Sequence, residues 1–208
     1  VNLLHALGKL DPPEASALRE AAARKITARP AVFDPVTVVG PALRTLCGKK
    51  RKGEDARSDG ALEHLWTQSA DFVLRRSEFP PAPPRDWRQD VLIPCRCTDC
   101  RELQVFVRDP VERVHRFRVR KDRRQHLHGI IDQHQLDMTH VTERKGSPQT
   151  LVCTKDRRSY QRRCEQYRQD IAALAALGGL TTAGGADGAV WLQRINAAEA
   201  RRASWRPA

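Results

Sequence analysis

The 208-residue sequence has no run of about 18 apolar residues, which excludes a membrane-spanning helix. Aromatic residues make up only 5%, so few side chains are available for stacking on bases. Gly53, Gly60, Gly129 and Gly146 stand alone, and no glycine-rich phosphate loop is present. There is no Gly-x-Ser-x-Gly; Ser147, between Gly146 and Pro148, reads as a turn residue rather than a nucleophile. The opening Val1-Asn2-Leu3-Leu4-His5 lacks the basic region and long apolar core of a signal peptide. It reads as the middle of an amphipathic helix, so the chain is expected to be a piece of a longer protein. The composition excludes a collagen, a coiled coil and a wholly disordered chain.

Positive charge is abundant instead. Lys and Arg number 37 against 25 Asp and Glu, a net +12, and residues 101–168 alone hold 17 basic and 9 acidic side chains. Such an excess attracts anionic partners, nucleic acid or an acidic protein surface, although Arg-rich faces are also ordinary solvated helix surface.

The helical signals come first. Asp11-Pro12-Pro13-Glu14 and Phe33-Asp34-Pro35-Val36 are both helix starts, with Asp as cap and Pro in the first turn. Leu18, Ala21, Ala22 and Ile26 follow the first at helical spacing; Val36, Val39, Leu43 and Leu46 follow the second, with Gly40-Pro41 expected to kink it. The run Lys49–Glu54 reads as a polar loop. Asp59 or Ser58 caps a third helix carrying Leu62, Leu65, Trp66, Ser69, Phe72 and Val73 inward. Residues 1–78 are therefore read as helical hairpins, and the prolines of 79–89 as a stiff extended linker whose Trp87 packs on a domain.

Residues 90–178 read as a small α+β domain. Val91-Leu92-Ile93 is expected as a short strand and Arg101–Val107 as a helix. In 114–120, His115, Phe117 and Val119 alternate with Arg116, Arg118 and Arg120, the pattern of a half-buried strand. Asp122 caps a helix bearing Leu127, Ile130 and Ile131. Two β-rich runs, 140–144 and 149–155, flank Lys145-Gly146-Ser147-Pro148 as a hairpin. Tyr160, Cys164, Tyr167, Ile171, Leu174 and Leu177 form the core stripe of a long C-terminal helix. Residues 179–208 read as a flexible Ala/Gly-rich tail: Thr181–Gly188 as a linker, and the Ala-rich remainder with Trp191 and Trp205 as a peripheral helix or a disordered end. The fold class is thus α+β: N-terminal helical hairpins, then a zinc-stabilised unit with a β-hairpin and a long helix.

Three of the six cysteines fall within six positions, Cys95-x-Cys97-x-x-Cys100. A disulfide scaffold would spread them; clustering in a basic, signal-free chain fits a reducing, intracellular compartment and a metal. Three soft thiolates on one turn need a fourth donor to complete a tetrahedral zinc site. His126, at the start of the next helix, is preferred. His128 cannot point the same way on that helix; His115 and Cys153 are the further alternatives. Four protein ligands leave no open position for water, so the zinc is structural.

Arg116, Arg118 and Arg120 project from one strand face at about 6.6–6.8 Å intervals, close to phosphate spacing. Lys121, Arg123 and Arg124 extend that patch, as do Lys155, Arg157 and Arg158 before the last helix. The pattern points to nucleic-acid binding through phosphates with little sequence reading. Carboxylates of Glu143 or Asp156 could instead neutralise the strand face. A protein-interaction scaffold is the alternative, and no catalytic constellation is present.

Cys95-x-Cys97-x-x-Cys100, Arg124-Gln125-His126-Leu127-His128 and the stretch Thr142–Lys155 together resemble the region downstream of the catalytic domain in large multidomain 2-oxoglutarate/iron(II) oxygenase-like proteins. Ala28–Pro35 and the proline linker fit the same region, so the resemblance covers roughly residues 1–178. It implies an accessory part that serves a neighbouring catalytic domain. Such oxygenases hold iron through His-x-Asp/Glu and a distant His; none of the seven histidines here is followed two residues later by Asp or Glu.

Overall fold

Asp34 and Asp59 begin two helices as their sequence positions predict. The Asp34 carboxylate accepts from the amides of Val36 and Thr37, and Asp59 from those of Ala61 and Leu62. In the computed structural model, residues 12–48, 59–180 and 187–207 are described. The N-terminal segment, the Asp11 cap, the polar loop at 49–54 and the linker at 181–186 lie outside the described residues.

The chain divides into two units. The first comprises residues up to Pro81 together with Cys164–Pro207. Helix α1 (Pro12–Thr27) packs on α3 (Gly60–Arg76). Between them a single π-helical turn, Pro35–Val39, runs into α2 (Gly40–Gly48), so the expected irregularity at Gly40-Pro41 is a change of helical pitch. A Cβ at Gly40 would stand 3.0 Å from the Pro35 carbonyl oxygen, which makes glycine the fitting residue at that junction. Trp66 is fully buried, and its Nε1–H donates to the Leu177 carbonyl at 2.9 Å. The expected stripe on α6 (Arg158–Gly178) is buried throughout, from Tyr160 to Leu177. Of the two readings for the end of the tail, the peripheral helix is the one that forms, so it is not flexible throughout. Residues Gly188–Ser204 form α7, whose Ile195 and Ala198 are buried and whose Trp191 meets Trp66 edge to face at 6.1 Å. Its alanines carry helix propensity, and the few apolar residues sit on one side.

The second unit spans residues 82–163 and ends inside α6. Helix α4 (Thr98–Arg108) is followed by β1 (Val114–Arg118), α5 (Lys121–Gln133), β2 (Met138–Glu143) and β3 (Thr150–Lys155). The strands form one antiparallel sheet in the order β1-β3-β2. His115 and His140 both oppose Cys153, and Phe117 and Thr142 oppose Leu151, so these side chains share one face. Phe117, Leu151, Cys153 and Met138 on that face join Leu103, Phe106 and Val107 of α4 and Leu127, Ile130 and Ile131 of α5 in a single buried core. The opposite face, with Arg116, Arg118, Val141 and Val152, is open or half-open.

Residues 91–93 are not a strand, against expectation. Their polar partners come from a side chain: Gln104 Oε1 accepts from the Ile93 amide at 2.7 Å and Nε2 donates to the Val91 carbonyl at 3.0 Å. That satisfies the backbone without a neighbouring strand. Trp87 packs on the second unit between the guanidiniums of Arg113 and Arg157, each within 5 Å of its ring centre.

Candidate metal centre and cationic surface

The cysteine knuckle folds into the start of α4. Cys97 is the N-cap residue and Cys100 lies in the first turn, which begins three residues earlier than the sequence pattern suggested. Cys95 precedes the helix in the segment pinned by Gln104. The remaining member comes from α5, where Arg123 and His126 lie three residues apart on one face. Arg123 donates through Nε and Nη2 to the buried carboxylate of Asp99, tying the two helix starts together. His126 Nε2 then lies 3.2 Å from Cys100 Sγ and 3.4 Å from Cys95 Sγ.

The donor atoms of Cys95, Cys97, Cys100 and His126 all lie within 4.8 Å of one another. A tetrahedral zinc site with these ligands has donor–donor edges of about 3.5–3.8 Å. The group is therefore positioned to hold a metal ion after small side-chain adjustments. Hydrogen bonds from the Cys97 amide and from the Cys100 and Cys97 thiols pull the Cys95 thiol below its ordinary range, whereas burial and the neighbouring thiols push Cys100 far above it. Three adjacent thiols do not ionise together without a cation among them.

The alternative fourth ligands are occupied elsewhere. His115 faces a carboxylate from each ring nitrogen, donating from Nδ1 to Glu112 at 2.7 Å and from Nε2 to Glu102 at 2.8 Å, and stacks on Phe106. His128 points away from His126, toward His140 Nδ1 and toward the Thr142 hydroxyl at 3.3 Å. Cys153 is fully buried under the sheet, where burial pushes its thiol up to about 12.

The nine cations assigned to an anionic partner separate into groups. Lys155 is a correction: it is fully buried, donates to the Asp109 carbonyl at 2.6 Å and stands over Phe106. Strand alternation places it on the face of Leu151 and Cys153, and burial lowers its pKa against the opposing pull of Asp109, Glu112 and Asp86. Arg116 is held by Glu143 across the sheet, Arg123 by Asp99 and Arg158 by Asp156. Arg157 lies over Trp87, and Arg124 is buried. Arg118, Arg120 and Lys121 remain exposed at the β1–α5 turn; among the described residues their only ion pair is Arg120 to Asp122, at 3.9 Å.

Sequence reasoning missed Thr142, Arg144 and Gln149, which line a cleft with Lys121, Arg124 and His128. The signal was the period-2 register of the hairpin, which brings 142 and 149 toward α5. No family model matches the chain, and neither a curated protein nor a solved structure matches it.

Proposed function

We propose that the chain is a zinc-stabilised accessory module that binds nucleic acid mainly through phosphate contacts. Zinc is favoured because three thiolates and one imidazole suit a borderline-soft ion, and a four-ligand set leaves no site for chemistry. An iron–sulfur cluster would want a fourth thiolate, and Cys153 is buried in the sheet core. The observation that carries the nucleic-acid reading is the exposed trio Arg118, Arg120 and Lys121, which among the described residues lack the close carboxylates that hold Arg116, Arg123 and Arg158. Contacts of this kind go to phosphates and read little sequence. The accessory role rests on the resemblance to the region downstream of oxygenase catalytic domains.

The test has two arms. Protein purified without added metal should contain about one zinc per chain; metal-free, fully reactive thiols would overturn the zinc assignment. Affinity for DNA or RNA should fall with salt at a log–log slope of about −2 to −3, as three phosphate contacts require. Replacing Arg118, Arg120 and Lys121 by Glu should abolish it without unfolding. No binding at low salt would reject nucleic acid. The protein-interaction reading then leads, and the exposed Val114 and Val141 on the open sheet face favour it.

A further inference from the structure

We infer that the cleft between α5, the end of β2 and the residue leading into β3 is a seat for the phosphate monoester of a nucleotide. This deepens the nucleic-acid reading and rests on it.

The cleft has a volume of about 420 Å³ and takes its walls from three places in the chain. Lys121, Arg124 and His128 come from α5, Thr142 and Arg144 from the β2 end, and Gln149 from the approach to β3. That size is within the range of small-ligand sites, about 300–1,000 Å³. Three of its side chains are cationic, and no carboxylate lines it.

Arg124 is the decisive residue. It is only 8% exposed, yet every partner of its guanidinium is neutral: the Val119 carbonyl, the Gln149 carbonyl at 3.2 Å and Gln149 Oε1 at 2.9 Å. The three bonds go to neutral oxygens, and no carboxylate pairs with it among the described residues. Burying an ion without a counter-ion is strongly unfavourable, and an anion in the cleft supplies that counter-charge. Lys121 and Arg144, both exposed, likewise have no ion pair among the described residues.

The charge count favours a monoester over an internal phosphodiester. A monoester carries about −1.5 to −2 and three acceptor oxygens, whereas each backbone phosphate carries a single charge. Three cations from two elements, with Thr142 and Gln149 between them, match the former. The cleft is also larger than one phosphate, which leaves space for the attached nucleoside. The same chemistry is offered by a phosphorylated strand end and by a free mononucleotide.

The full zinc-loaded chain, without an affinity tag, is tested by fluorescence anisotropy on single strands of about ten nucleotides. These carry a 5′-phosphate, a 3′-phosphate or hydroxyls at both ends, and AMP is the competitor. A phosphorylated end should tighten binding about tenfold, and AMP should remove that advantage. Arg144→Gln should reduce it below about threefold, Arg144→Lys should restore most of it, and binding of the hydroxyl-ended strand should stay within about twofold. Equal binding of all strands overturns the seat and leaves the nucleic-acid reading standing. AMP binding with no strand binding keeps the seat, assigns it to free nucleotides and rejects the nucleic-acid reading. Neither binding rejects both, and a phosphoserine peptide binding as tightly as AMP overturns the nucleotide assignment.

Discussion

Arg123 grips the buried carboxylate of Asp99 with two guanidinium nitrogens, three residues before His126 on the same helix face. The pair fixes how the start of α5 meets the start of α4, and so where the imidazole stands relative to Cys95 and Cys100. We predict that Asp99→Asn weakens metal affinity about tenfold while leaving all four donors in place, the usual consequence of loosening an outer contact. Competition with a chromophoric chelator measures it. Unchanged affinity would mean the pair serves only packing.

Cys97 is exposed, and its side chain makes no capping bond to the amides of α4. Its replacement by Ser should therefore act through the metal and not through the helix. We expect Cys97→Ser to raise amide exchange across residues 82–163 and to leave that of Gly60–Arg76 as in the parent chain. Uniform loss of protection in both regions would contradict this.

His115 sits between Glu102 and Glu112. Burial opposes its protonation, but the two carboxylates outweigh that and raise its pKa above the ordinary histidine value. A group whose folded value is raised stabilises the fold fully below its unfolded value, near 6.5, and loses that contribution as pH rises through the folded value. The difference in melting temperature between the parent chain and His115→Gln should thus be largest near pH 6 and shrink above pH 7. A difference that grows with pH would refute the assignment.

Trp66→Phe keeps most of the buried ring but removes the indole N–H bond to the Leu177 carbonyl at 2.9 Å, which keeps the Leu180 amide as a donor. The expected loss is about 0.5–1.5 kcal/mol in urea unfolding, the net value of one hydrogen bond. Trp66→Ala should cost about 3–5 kcal/mol, because a cavity is added to the lost bond.

Purified on its own, the chain should not turn over 2-oxoglutarate, since none of its histidines has the His-x-Asp/Glu spacing of an iron site. Turnover that survives removal of contaminants would overturn both this expectation and the proposed accessory role.

The metal quartet was legible because its information is local. Cys95, Cys97 and Cys100 are bound to one turn by spacing alone, and helix geometry lets only one of His126 and His128 face it. The helix starts at Asp34 and Asp59 were legible for the same reason. Glu143 was legible as a carboxylate able to neutralise the strand face, but which cation it and Asp99 would hold was not, because that depends on register between distant segments. Arg116 meets Glu143 only once β3 aligns both strands, and Asp99 meets Arg123 only once two helices cross. Lys155 stands between these cases. Its alternation with Leu151 and Cys153 already placed it inward, but a lysine at a strand end is usually read as exposed.

The strand order β1-β3-β2 sets a timetable for synthesis. Both outer strands leave the ribosome before the central one, and they have no partner until Thr150–Lys155 emerges. The four metal donors, in contrast, are all present once residue 126 has been made. A nascent chain halted before residue 150 would own a complete metal quartet and not a single strand pair. The group positioned to hold a metal is thus complete on the chain before any strand pair of this unit can form.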